Sequence, residues 1–258
     1  MDLRELENTK NTESRHPWEI ARLFVIQSKI KQIFNENDEK VILDIGCGDT
    51  WLIEQLSKKF PNFKFIAVDT AFDSGMLKKL NSKLNSKTFS VFKTLDSALN
   101  DNNKKIDLIL LLDVIEHIED DIAFLKWVNS FNNINNQTKF LITVPAFQFL
   151  FSEHDVFLGH YRRYDNKKLK LHIDQSGLKT IRIGYFFSSL LTPRVLTKVK
   201  EGFIKPKQNV TGIGGWKKTP IDKLFVVLLI MDYKLSRFFE KISISLPGLS
   251  NYVLCKQK

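Results

Sequence analysis

The sequence predicts an α/β fold, a mostly parallel, doubly wound sheet of seven strands with a helical insertion before the last one. Three observations predict it. Short, β-branched apolar runs recur along the chain and end in glycine or aspartate; stretches with helical spacing of apolar residues separate them; and some sixty residues of different character precede a final strand-forming run. Strands that alternate with helices of this length require parallel crossovers and a sheet covered on both faces.

The elements follow in order. Residues 1–15 are polar and expected to be flexible, and "HPWEIARLFVIQSKIKQIFNEN" then carries apolar residues at helical spacing with Pro17 suited to a first turn. "VILDIG" (41–46) reads as a buried strand, followed by the helix "WLIEQLSKKF", the strand "FKFIAVD", the helix "SGMLKKLNSKL" and the strand "TFSVFK". "IDLILLLDV" is the fourth strand and leads to the helix "DDIAFLKWVNSF", and "KFLITVPA" is the fifth. "NKKLKLHIDQSG" predicts a helix closed by Gly177, "LKTIRIGYFF" a sixth strand and "NYVLCKQK" a seventh. The core thus spans 16–186 and resumes at 246–258, around a basic helical insertion at 187–245.

A chain of 258 residues with 43% apolar residues can fill a sizeable core. Its net charge of +10 fits an anionic partner (nucleic acid, anionic lipid or a phosphorylated substrate) or simply a lysine-rich solvated surface. Two cysteines, Cys47 and Cys255, argue against a disulfide scaffold and for a reducing compartment. The first residues lack the apolar stretch of a secretory signal, and "LFVVLLIM" falls short of the ~18 residues of a spanning helix. A cytoplasmic protein, soluble or peripheral at the membrane, is expected.

"VILDIGCGDT" places Asp44, Gly46 and Gly48 where a strand turns into a helix. Glycine lets the backbone approach a ligand there, and the helix start offers free N–H groups. Asp69 ends the next strand about twenty residues on, where a carboxylate accepts hydrogen bonds from ribose hydroxyls. A dinucleotide fingerprint would need its third glycine at Trp51, whose bulk disfavours a nicotinamide cofactor. With "AVD" and "DLILLLDVIEH" added, the sequence resembles the class I S-adenosylmethionine-dependent methyltransferases, with a Rossmann-like sheet, over residues 41 to about 186 and the last strand. The resemblance implies S-adenosylmethionine as cofactor. It sets Asp44, Gly46 and Gly48 at the methionine end, Asp69 and Thr70 at the ribose, Lys93 and Thr94 near the adenine, and Asp113 in the cofactor crevice.

Asp113, Glu116 and His117 follow the fourth strand, whose end faces that crevice. A carboxylate beside a histidine, joined by a later histidine, could chelate a divalent cation, as a similar pattern does in small-RNA 2′-O-methyltransferases and a related one in ubiquinone-pathway O-methyltransferases. The candidate ligands are Asp113, Glu116, His117 and His154. Hydrogen bonding that braces the helix start and a substrate loop is the favoured alternative, so no metal is assigned.

"SEHDVFLGHYRRYD" (152–165) occupies the place after the fifth strand. With "HPWEIAR" and "PGLSNYVL" it resembles a bacterial methyltransferase subfamily found among cell-envelope saccharide genes. A hydroxyl acceptor needs a base, for which His154, His160 and His117 are candidates. Arg162 and Arg163 suit an anion, and Tyr161 and Tyr164 suit stacking on a sugar. His16, Trp18 and Arg22 either form a lid or belong to a helix packed on the sheet.

Residues 184–245 hold eleven Lys or Arg against four Asp or Glu, in apolar helical stretches. They fit an interfacial helix pair on an anionic membrane, or a helical subdomain that buries its own stripe. The expected function is O-methylation of a saccharide or lipid-linked envelope intermediate. Its rivals are an RNA 2′-O-methyltransferase with a metal, nucleic acid being the less favoured partner, and a noncatalytic cofactor-binding or membrane adaptor.

Overall fold

The computed structural model describes residues 15–83, 88–101, 105–203 and 218–258. The expected flexible segment 1–15 lies, except for Arg15, outside the described residues, as does most of the loop between the two insertion helices.

Seven strands form one sheet in the order β3-β2-β1-β4-β5-β7-β6. They are β1 (Val41–Ile45), β2 (Lys64–Val68), β3 (Phe89–Phe92), β4 (Leu108–Leu112), β5 (Lys139–Pro145), β6 (Leu178–Phe186) and β7 (Ser250–Gln257). The first five pair in parallel, and β7 runs antiparallel to both β5 and β6.

All five residues of β1 are buried because both faces of the sheet are covered. Alternation of side chains splits them, Ile42 toward one core and Val41, Leu43 and Ile45 toward the other. The first core is closed by α1 (Pro17–Ile33), α2 (Trp51–Lys59) and α9 (Asp222–Lys241). The second is closed by α4 (Leu95–Asp101), α5 (Asp121–Asn129) and α7 (Asn166–Gln175). Three helices complete the order: α3 (Ser74–Lys83), α6 (Glu153–Leu158) and α8 (Leu191–Phe203).

Local chemistry sets the ends. His16 caps α1, its Nδ1 accepting from the Trp18 N–H at 3.1 Å while Glu19 reaches back to the His16 N–H at 3.2 Å, a capping box with Pro17 at the first turn. Asp165 caps α7 by accepting from the Lys168 N–H at 2.7 Å, and Gly177, at φ +80°, closes it. The insertion is tied to the core, since α9 packs on α1 and buries Leu229, Tyr233 and Ser236.

Candidate active site

Strands β1 to β6 end at one edge of the sheet, and β7 begins there. In an open parallel sheet this is the edge that binds ligands. Non-glycine residues with positive φ cluster along it: Asp113 at 58°, Phe147 at 62° and Phe187 at 63°, each within two residues of a strand end, and Thr50 at 64° where the loop after β1 enters α2. Strain of about 1–3 kcal/mol per such residue persists only where the surroundings hold it, and functional edges are where it collects.

The loop after β1 is pinned beneath the end of β2, with the Gly46 N–H donating to the Val68 carbonyl at 2.8 Å. Gly46 sits at φ +74°, and a Cβ there would lie 2.7 Å from Val114 Cγ2. Gly46→Ala is therefore expected to lower stability by ~1–3 kcal/mol, measured by urea unfolding. Asp69 joins the loop to β2, accepting from the Gly48 N–H at 2.8 Å and the Ala71 N–H at 3.0 Å. Thr70 is exposed beside it, and Lys93 and Thr94 are exposed at the end of β3.

Asp44 is buried, and its Oδ1 has no hydrogen-bond partner among the described residues. Burial pushes its pKa up to about 7; Arg22 opposes that rise and Asp69 adds to it. A buried carboxyl one residue from the end of β1, with one oxygen unpartnered among the described residues, fits the cationic amino group of an amino-acid ligand. Asp69 retains acceptor capacity for a ribose diol. These residues fit S-adenosylmethionine.

Arg22 comes from α1 to the end of β4. It pairs with Asp113 Oδ2 at 2.8 Å and donates to Thr143 Oγ1 at 3.2 Å, while Thr143 donates to Asp113 Oδ1 at 3.0 Å. The sequence offered Arg22 as part of a lid or of a helix packed on the sheet, and Thr143 carried no signal beyond its strand. The guanidinium stacks 5.1 Å from the Trp18 ring, and Arg15 lies 4.9 Å from that of Trp51. Helix α1 is thus both packed on the sheet and part of the site.

On the acceptor side, Glu116 and His117 lie on a short 3-10 turn after β4, and the Tyr161 N–H donates to the Glu116 carbonyl at 2.8 Å. That bond brings His160 to His117, with ring centroids 4.6 Å apart. His160 Nδ1 lies 2.9 Å from Asp155 Oδ1, an oxygen that also accepts from Arg163 Nε at 2.7 Å. Ser152 closes the node with its N–H, 2.9 Å from Asp155 Oδ2. Burial raises the Asp155 pKa, but His160 and Arg163 outweigh it and hold the carboxyl well below the usual range. Burial and then Asp113 push Glu116 the other way, well above its usual value, and neither Glu116 oxygen has a hydrogen-bond partner among the described residues.

Several expectations change here. Tyr164 does not face a sugar: it is fully buried, pairs in parallel with Ala146 beyond β5, and donates to Asp121 Oδ2 at 2.8 Å. Tyr164→Phe is expected to lose ~1–2 kcal/mol of stability with acceptor KM unchanged. Arg163 is buried on Asp155, and Arg162 pairs with Asp121 at 3.1 Å and donates to the Ile118 carbonyl at 2.8 Å, so both brace the loop and neither stands open to an anion. Tyr161 remains exposed. The alternative set of candidate metal ligands, Asp113, Glu116, His117 and His154, is also rearranged. Asp113 is taken by Arg22 and Thr143, and His154, half-buried on α6 with its pKa lowered chiefly by burial, lies outside the group of Glu116, His117 and His160 whose ligand atoms fall within 4.8 Å of one another.

This strand order, with an acid-tipped glycine loop after β1 and a carboxylate at the end of β2, defines the class I S-adenosylmethionine-dependent methyltransferases. Residues 18–182 match the family described as "Methyltransferase domain", and the chain belongs to it. Among curated proteins it is 30% identical over 118 residues to a ubiquinone biosynthesis O-methyltransferase of Bartonella tribocorum, covering 43% of this chain and 47% of that one. The matched segment thus spans about half the length of such relatives. The crystal structure of a SAM-dependent methyltransferase from Archaeoglobus fulgidus superposes with a TM-score of 0.50 at 18% identity, covering 91% of this chain and 94% of that one. Coclaurine N-methyltransferase bound to N-methylheliamine and SAH superposes at 0.54 and 14% identity, over 93% of this chain and 70% of that one.

Proposed function

We propose that the protein methylates a hydroxyl oxygen on a saccharide or lipid-linked cell-envelope intermediate. The observation that carries the reading is the Asp155–His160 pair beside His117. The Asp155 carboxylate can only accept, so His160 Nδ1–H donates to it, which leaves Nε2 as the nitrogen free to take a hydroxyl proton. Asp44, Gly48 and Asp69 would hold the cofactor and Arg22 would fix the edge between the two halves. S-adenosylmethionine supplies an activated methyl on a sulfonium. As the methyl passed to the acceptor oxygen the C–S bond would break and the cofactor would leave as the neutral thioether; His160 would take the acceptor's hydroxyl proton, and buried Glu116 and exposed Tyr161 would shape the approach.

The likeness of "SEHDVFLGHYRRYD" to envelope-associated methyltransferases supports the acceptor class, and the O-methyltransferases among the relatives support oxygen as the atom. The test is transfer of radiolabelled methyl to fractionated envelope saccharides, lipids and RNA. Label in a saccharide or lipid fraction, undiminished by a chelator, is the expected result. Label in RNA that disappears with chelator would assign the Glu116, His117 and His160 group to a metal and overturn this reading.

A further inference from the structure

Helix α9 is apolar on two opposite sides. One side buries Leu229, Tyr233 and Ser236, while Leu224, Leu228, Met231, Leu235 and Phe238 line the other and are 52–60% exposed. They recur at intervals of four and three residues, a single stripe along a helix about 30 Å long. Exposed apolar residues in such a row mark an interaction surface.

The charges say what covers it. Lys223, Lys234 and Lys241 are exposed and separated by eleven and seven residues, close to whole helical turns, so they form a row beside the stripe. The helix's acids are each committed within the chain: Asp222 accepts from Thr219 at 2.7 Å, Asp232 from Ser189 at 2.7 Å, and Glu240 takes Arg237 and Tyr252. Lysines thus line one edge of the stripe while Asp232, held by Ser189, lies on the other, and an apolar stripe with a lysine row along it is complementary to an anionic lipid surface. A second copy fits worse. With the stripe as the seam, one overlapping antiparallel register sets Lys234 against its own copy, and a parallel pair sets Lys234 against Phe239.

The surface is linked to the acceptor side. Arg194 and Lys198 of α8 donate to Ser152 Oγ at 2.7 Å and the Phe151 carbonyl at 2.5 Å, directly before the helix that carries Asp155. Leu196 and Val199 of α8 are exposed, as are Val156 and Phe157 of α6. No described helix is long and apolar enough to cross a membrane, so α9 would lie in the interface.

We propose that the exposed face of α9 docks the enzyme on an anionic phospholipid bilayer, a property that stands apart from the acceptor assignment. The test is co-sedimentation of the full chain with phosphatidylglycerol–phosphatidylcholine vesicles against phosphatidylcholine alone, with S-adenosylmethionine affinity measured separately on the same samples. At least about tenfold preference for the anionic vesicles, weakened by salt, is expected. Lys223→Gln/Lys234→Gln/Lys241→Gln should weaken binding about 100-fold, and Leu228→Glu/Leu235→Glu should abolish it, with cofactor affinity and the unfolding midpoint unchanged in both. Equal binding to both vesicles, no binding, or a lipid-free dimer that the glutamates make monomeric would overturn the proposal, the last by assigning the stripe to a second copy.

Discussion

Asp44→Asn is expected to weaken S-adenosylmethionine binding ~10–100-fold while making the empty protein more stable at neutral pH. The two effects share a cause. Burial lifts this carboxyl to about 7, so ionising it inside the empty fold is unfavourable. Its contribution to wild-type stability is full below the unfolded value of ~3.8 and is lost as pH rises through about 7. The shift of about three units corresponds to ~4 kcal/mol. Denaturant melts of the two proteins should coincide near pH 4 and diverge by up to that amount near pH 8, with the variant above. A cationic amino group on the ligand favours the ionised acid, so wild-type affinity should rise up to about tenfold per pH unit from 5 toward 7. Calorimetry in buffers of different ionisation enthalpy should register a released proton below pH 7; heats independent of buffer would contradict the assignment.

His160→Ala is expected to lower kcat by 10²–10⁴ while leaving cofactor affinity within about twofold, because it removes the base and touches no part of the glycine loop. Asp155→Asn is the less clean experiment. The carboxylate holds His160, Arg163 and Ser152 together, and breaking a buried ion pair costs ~3–5 kcal/mol, so lost activity would mix with lost fold. Its depressed pKa adds stability that is present above the ordinary carboxylate range and lost as pH falls through the lowered value. Acid unfolding should accordingly shift to higher pH in Asp155→Asn, and by less in His160→Ala, which removes only one of the two groups that hold the carboxyl down.

Much of this was legible in the residues. The fold follows from strands whose apolar runs are short and β-branched, and the cofactor half from motifs that lie at strand ends, since backbone geometry alone sets Asp44 and Asp69 beside the same loop. The acceptor half was legible only as composition. "GHYRRY" shows two arginines and two tyrosines, but not that Tyr164 pairs beside the end of β5 in the core or that Asp155 draws Arg163 and His160 inward. Burial of polar groups depends on long-range partners such as Asp121, 43 residues from Tyr164, and periodicity carries no sign of them. Arg22 escaped for the same reason: its partner Thr143 is 121 residues away. The short helices α4 and α6 were missed because one or two turns hold too few apolar positions to show a period.

The place of β7 has a consequence for how the chain assembles. It slots antiparallel between two strands that both precede it, bonding β5 along residues 139–145 and β6 along 178–186. Until residues 250–257 arrive, β5 and β6 each present an unpaired edge, open to a neighbouring nascent chain. The pairings of β5 with β7 span the longest sequence separations in the sheet and carry the largest loop-closure cost, which slows them. Pulse-labelled hydrogen exchange during refolding should find β1, β2 and β4 protected before β6, and protection of β6 should appear only together with that of β7.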